Sequence, residues 1–289
     1  MAYYLVPHKI NYRCINMKLL ATATAMALFL AGCATTGSGV HSTAAQIGWA
    51  GGLSDVHDTS VPQSEIHDLD TKLYNSSFNS MMLMNDSSLG LSKSSSVGFG
   101  IAAALLTPRS VSSQDSVFAW MPSSEAKNEI DAKNKLLSLE KNAIETALTS
   151  MGIKFVKYHS TDKNAENYQT YQIFGGKLKN CEPVGNCAIV ANVKTPIANE
   201  ISPALLKQKA SYAFVLPKYM RNFGDSVINI YVEKASKDNA QFKNVILSSI
   251  SKELPDWVFI YSAPRDNEYD RFPAYILTQG KPEFFVIPK

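Results

Sequence analysis

Ser116-Val-Phe-Ala-Trp-Met-Pro122 is followed at once by Ser123-Ser-Glu-Ala-Lys-Asn-Glu-Ile130 and a long periodic stretch that ends at Gly152. The first run is short, apolar and closed by a proline, and it reads as a strand. The second reads as a helix from Ser123 to Met151. Ser123 and Ser124 offer side-chain acceptors to its free N–H groups. Ile130, Leu137, Ile144 and Met151 recur at seven-residue spacing, joined by Ala126, Ala147 and Leu148. Gly152 stands where a helix-ending glycine belongs. A stripe of this kind needs a sheet or a second helix to cover it.

Working outward, strands are expected at Ile153–Tyr158, Tyr168–Phe174 and Ala188–Val193. Each is short, β-branched or aromatic, and bounded by Asn, Asp, Gly or Pro. After a link containing Thr195-Pro196 and Ser202-Pro203, strands are expected again at Tyr212–Leu216 and Val227–Val232. A second helix runs from Asn239 to Leu254 and is stopped by Pro255. Closing strands fall at Trp257–Tyr261, Ala274–Thr278 and Phe284–Ile287. The fold class is α+β: small antiparallel sheets, each covered by a helix, with one face free for contact.

The order repeats. Ser116–Pro122 resembles Ser211-Tyr-Ala-Phe-Val-Leu-Pro217, and Ile153–Tyr158 resembles Asp256–Tyr261. Tyr168-Gln-Thr-Tyr-Gln-Ile-Phe-Gly-Gly-Lys177 resembles Phe272-Pro-Ala-Tyr-Ile-Leu-Thr-Gln-Gly-Lys281, so Tyr171 matches Tyr275 and Gly176 matches Gly280. Few identities support the repeat, and strands of similar length also resemble one another by chance. An internal duplication (strand, helix, three strands, twice) would divide the body into 114–197 and 198–289.

Far upstream lies Met17-Lys-Leu-Leu-Ala-Thr-Ala-Thr-Ala-Met-Ala-Leu-Phe-Leu-Ala-Gly-Cys33. One charge at Lys18, an uncharged apolar core and small residues before a cut describe a secretory signal. The core is short of the ~20 apolar residues that a membrane span needs. Leu30-Ala31-Gly32-Cys33 resembles the lipobox of bacterial lipoproteins. That resemblance implies cleavage of residues 1–32, acylation of Cys33 and attachment to a membrane facing the periplasm. Because Ala34 rather than Asp follows the cysteine, it also implies the outer membrane in a Gram-negative host, with the inner membrane as the alternative. Met17 is the expected initiator; the alternative is a long leading region that carries Lys9 and Arg13.

Charge changes meaning after that cut. Residues 1–32 hold Lys9, Arg13 and Lys18 and no acid, so 28 basic residues fall to 25, against 25 acidic ones. The mature chain is formally neutral, without the clustered basic excess of a nucleic-acid footprint. Of the 4 cysteines, Cys181 and Cys187 remain in the body. In an oxidising compartment they are expected to bridge. Closing so short a loop contributes about 2 kcal/mol by chain entropy. Two free thiols are the alternative.

Ala34 to Gln63, rich in Thr, Ser, Gly and Ala, has the composition of a flexible tether. Residues 64–108 carry Leu69, Leu73, Tyr74, Phe78, Met81, Met82, Leu83 and Met84, and then the apolar run Val97–Leu106. Residues 33–113 together are read as tether and docking segment. Val97–Leu106 either packs on the body or meets a partner or lipid.

The sequence offers no chemistry. There is no Gly-x-Ser-x-Gly, and Ser-x-x-Lys recurs at Ser124, Ser138, Ser160 and Ser249 without its partner motifs. His41, His57, His67 and His159 show no metal spacing. Asp266-Asn-Glu268-Tyr-Asp270 lacks the central Gly and closing Glu of a calcium loop, and reads as a polar hairpin. Gly176-Lys177 and Gly280-Lys281 read as turns, not phosphate loops. Glu125, Glu129, Glu140 and Glu145 read as a solvated helix face. No catalytic, cofactor-binding or metal residue is assigned. The expected function is a lipid-anchored envelope protein with an assembly or protein-binding role. The alternatives are an envelope hydrolase with an unrecognised site, or a small-molecule or glycan-binding lipoprotein. A deep pocket with convergent carboxylates favours the enzyme, and a flat sheet face with exposed aromatics favours binding.

Overall fold

Ser116–Pro122 is a strand, β2, in a computed structural model that describes residues 41–54, 56–63, 66, 114–158, 168–176, 178, 181–183, 185, 187–198, 202–206, 210–216, 226–232, 237–266 and 271–289. The signal, Cys33 and Val97–Leu106 lie outside these residues. β2 sits inside a sheet, paired antiparallel with β7 (Ala210–Phe214) on one side and β9 (Val258–Ser262) on the other. The sheet is six-stranded in the order β13-β12-β9-β2-β7-β6, where β6 is Ile197–Ala198, β12 Tyr275–Thr278 and β13 Lys281–Phe284. A second, four-stranded sheet runs β3-β4-β5-β8: Lys154–Tyr158, Tyr168–Phe174, Ala188–Asn192 and Val227–Tyr231. The class is α+β, as the sequence implies.

The long helix begins later than Ser123 and Ser124 suggest. It spans Glu129–Ser150 (α2), because Asn128 is the better cap: extended in backbone, it accepts from Asp131 N at 2.9 Å. Asp131 answers by accepting from Lys127 N at 2.9 Å. Ile130, in the first turn, is consequently 72% exposed and not part of the buried stripe. The other end is as expected: Gly152 takes a positive φ of 66°, and Ile153 N bonds back to Leu148 O at 2.9 Å. The second helix, α3, spans Lys237–Lys252 and ends ahead of Pro255. α2 lies on β3 and β5, α3 lies on β9, β12 and β13, and the two helices pack on each other. One continuous core joins them, built from Leu136, Ile144 and Leu148 of α2, Ile246 and Ile250 of α3, and the inner faces of both sheets.

The two halves of the suggested repeat do not keep separate sheets. β2 and β7, the paired look-alikes, are neighbours in one sheet with Trp120 opposite Ala213. β8, from the later half, completes the sheet built by β3, β4 and β5. Local likenesses persist nonetheless. Tyr171 and Tyr275 are both buried, and Gly176 and Gly280 both turn at positive φ. Tyr158 and Tyr261 part company: β3 is an edge strand and β9 an interior one, so Tyr158 is exposed and Tyr261 is not.

The tether reading of Ala34–Gln63 is corrected from His41 onward. Thr43–Ala50 is a helix, α1, capped by Ser42, whose Oγ accepts from Ala45 N at 3.0 Å. Thr59–Val61 is a strand, β1, parallel to β14 (Val286–Pro288). Ala44, Ala45, Ile47, Leu53 and Val56 form a second core with Phe118, Trp120, Phe259, Tyr261, Ile276 and Phe285. These small residues signal close approach rather than flexibility. A Cβ added at Gly51 would sit 2.6 Å from Phe118 Cδ2. The six-stranded sheet is therefore covered on both faces, by α3 and by α1, and β2 and β9 read as unbroken apolar runs for that reason.

Candidate functional site

The carboxylates of α2 are not one solvated face. Glu140 falls on the stripe of Leu136, Leu137, Ala143, Ile144 and Ala147 and is fully buried. Neither of its oxygens has a hydrogen-bond partner among the described residues. Burial without a partner penalises the charged form, so its carboxyl is held well above the ordinary carboxylate range. Glu145 lies toward the rim, where its Oε1 accepts from Tyr171 O–H at 3.0 Å and pairs with Lys157 Nζ at 2.8 Å. Burial first, then Glu145, pushes the Tyr171 phenol up, and it stays protonated. This trio fastens β3 and β4 to α2.

A second polar cluster ties α3 to the six-stranded sheet. Asp115, buried ahead of β2, accepts from Lys243 Nζ at 2.6 Å and from Ala263 N at 2.8 Å. Asn244 Oδ1 accepts from Tyr275 O–H at 3.0 Å and from Arg265. Arg265 also donates to Ser262 Oγ at 2.9 Å. Burial raises the Tyr275 phenol, with Arg265 opposing. These bonds tie α3 to β12, to Arg265 and to the residue ahead of β2, and the assembly is read as a brace. Its members are ordinary in sequence, and only the fold brings 115, 244, 265 and 275 together.

The other sequence candidates disperse. His41 rests edge-on to Trp49 at 4.4 Å and lies 3.4 Å from Asp58, while His57 is exposed elsewhere. Among the described residues no group of three His, Cys, Asp or Glu converges to hold a metal ion. Arg265–Asp266 and Arg271–Phe272 pair antiparallel (β10 and β11), and the rest of the acidic stretch, 267–270, lies outside the described residues. Cys181 and Cys187 stand at bonding distance, S–S 2.03 Å and Cα–Cα 5.4 Å. Gln172 donates from Nε2 to Gly185 O within their loop, which seats the loop at the end of β4.

The unspent surface is the outer face of the four-stranded sheet. Its strands alternate, with every second residue of β4, β5 and β8 buried on the α2 side. The ladder places Val156, Gln172, Ala188 and Tyr231 in one outward row. The next row is Tyr158, Thr170, Val190 and Asn229. Tyr168, Asn192 and Val227 follow at one end, with Lys154 and Phe174 at the other. Tyr158 is 53% exposed, Tyr231 52% and Val156 47%. The floor is of small and β-branched residues, with tyrosines around it. Among the described strand residues of this face there is no carboxylate, and Lys154 is the one charge. The strand tyrosines were visible in the sequence, but which of them face water depends on edge position and pairing. Compared with protein-family models, with curated proteins and with solved structures, the chain matches none.

Proposed function

We propose that the chain is a lipid-anchored protein of the cell envelope, attached through Cys33 to the outer membrane and facing the periplasm. Its role is binding or assembly without catalysis, and its contact surface is the outer face of β3, β4, β5 and β8. The lipobox supports the address. One observation supports the work: the six-stranded sheet is covered on both sides, whereas the four-stranded sheet leaves an outer face with exposed Tyr158, Val156 and Tyr231 and, among its described strand residues, one charge. Exposed apolar surface of this kind marks a contact site.

Two acyl chains hold a protein on a membrane where one does not. Cys33→Ser should therefore release the protein from the membrane fraction and block signal maturation, and a variant that still sediments with membranes at normal size refutes the anchor. For the work, the tagged protein is extracted in detergent and the envelope material it retains is compared with that of a Tyr158→Ala/Tyr231→Ala variant of unchanged circular dichroism. Loss of retained material is expected. Equal retention refutes the face as the contact surface.

A further inference from the structure

Building on that reading of the face, we infer that the open side of the four-stranded sheet binds an uncharged glycan chain. Size comes first. Five residues at about 3.4 Å each and three strand gaps at about 4.8 Å make a floor of roughly 17 by 14 Å, or about 240 Å². Side chains roughen this floor, but it stays well short of the ~800 Å² per partner of a stable protein–protein interface. A second copy or a folded protein therefore finds too little to hold. An extended chain of a few sugar rings laid across the strands covers such a floor.

The chemistry points the same way. With no carboxylate and a single lysine among its described strand residues, the face offers an ionic ligand little to pair with, and costs a neutral one little desolvation. Protein interfaces draw on Trp, Arg and Met beside Tyr. Among the described strand residues of this face the first three are absent, and Tyr158, Tyr168 and Tyr231 stand with the amides Asn192 and Asn229. Pyranose rings present C–H faces that lie flat on phenol rings, and hydroxyl or acetamido groups that exchange hydrogen bonds with side-chain amides and Thr170. An apolar protein surface pressed on the same face would leave those amides unpaired, which costs more than the contact returns. The short side chains of Ala188 and Val190 on β5 lie between the edge strands that carry Tyr158 and Tyr231.

The test uses the full chain, extracted in a detergent without a sugar headgroup, and an N-acetylglucosamine oligomer as the neutral probe, followed by calorimetry. Saturable binding that is insensitive to salt is expected. Tyr158→Ala and Tyr231→Ala should each weaken it by roughly tenfold, the scale of one aromatic stacking contact. Tyr158→Phe should retain most of it, because the ring does the stacking, and Lys154→Gln should change nothing. Absence of binding, or binding that both alanine variants leave intact, overturns the inference. If the probe is not bound while the wild-type chain retains an envelope protein that Tyr158→Ala/Tyr231→Ala releases, the glycan is wrong and the face is right. If the double variant changes neither, the face itself is wrong.

Discussion

Replacing Glu140 by Met should stabilise the protein, and by an amount that depends on pH. The Glu140 carboxyl is fully buried on α2 with neither oxygen bonded among the described residues, and its folded-state pKa is raised by burial. In the unfolded chain it ionises near ~4.3. Below that pH both states hold the proton, and the group contributes no pH dependence. As pH rises, the unfolded chain releases the proton while the folded chain keeps it. Stability is then lost at about 1.4 kcal/mol per pH unit until the folded-state pKa is reached. Integrated from ~4.3 to pH 7, the ceiling is about 4 kcal/mol. Met has the length and helix propensity of Glu and no charge to desolvate, so the variant escapes this loss. Urea midpoints of both proteins at pH 4, 5.5 and 7 give the answer, because other titrating groups cancel in the difference. The gap in favour of Glu140→Met should widen with pH. Parallel curves would show that Glu140 is ionised or solvated in the folded protein, and the burial argument would fail.

Gly51→Ala should destabilise by about 1–3 kcal/mol, the cost of overpacking a filled core. The new methyl would meet the Phe118 ring at 2.6–2.8 Å, and an unchanged urea midpoint would mean that α1 is not seated on the sheet. Lys243→Met strips Asp115 of its ammonium partner at 2.6 Å and should cost about 3 kcal/mol, with partial recovery in Lys243→Met/Asp115→Asn. Full stability of the single variant would show that the pair is solvated. Cys181 and Cys187, at bonding distance in a small loop, should resist thiol labelling of envelope-derived protein under denaturing, non-reducing conditions. Labelling of either one refutes the bridge.

Much of the fold was legible because period and punctuation agree along the body. Tyr168–Phe174 is a strand over the residues expected, and Gly152 ends α2 where it should. The misreadings share a cause, which is that tertiary contact outbids composition. Ser123 and Ser124 look like caps, but Asn128 accepts from Asp131 N and Asp131 accepts from Lys127 N, so the helix starts there. Thr, Ser, Gly and Ala from Ala34 to Gln63 look like a tether, yet a helix pressed on aromatic rings requires residues that small. Glu140 looks like its neighbours Glu129 and Glu145, and one helical register step puts it inside. The binding face was least legible. Its aromatics are scattered over separate strands, and only the pairing of β3 with β4 and of β5 with β8 assembles them.

The pairing of β1 with β14 sets an order of events. Thr59 meets Val286, Val61 meets Pro288, and Lys289 N closes on Val61 O at 2.8 Å. Two stretches far apart in sequence are thus held by each other, and removing either strand strips the other of its ladder. Closing a loop of that length is slow, so β1 is fastened late in folding.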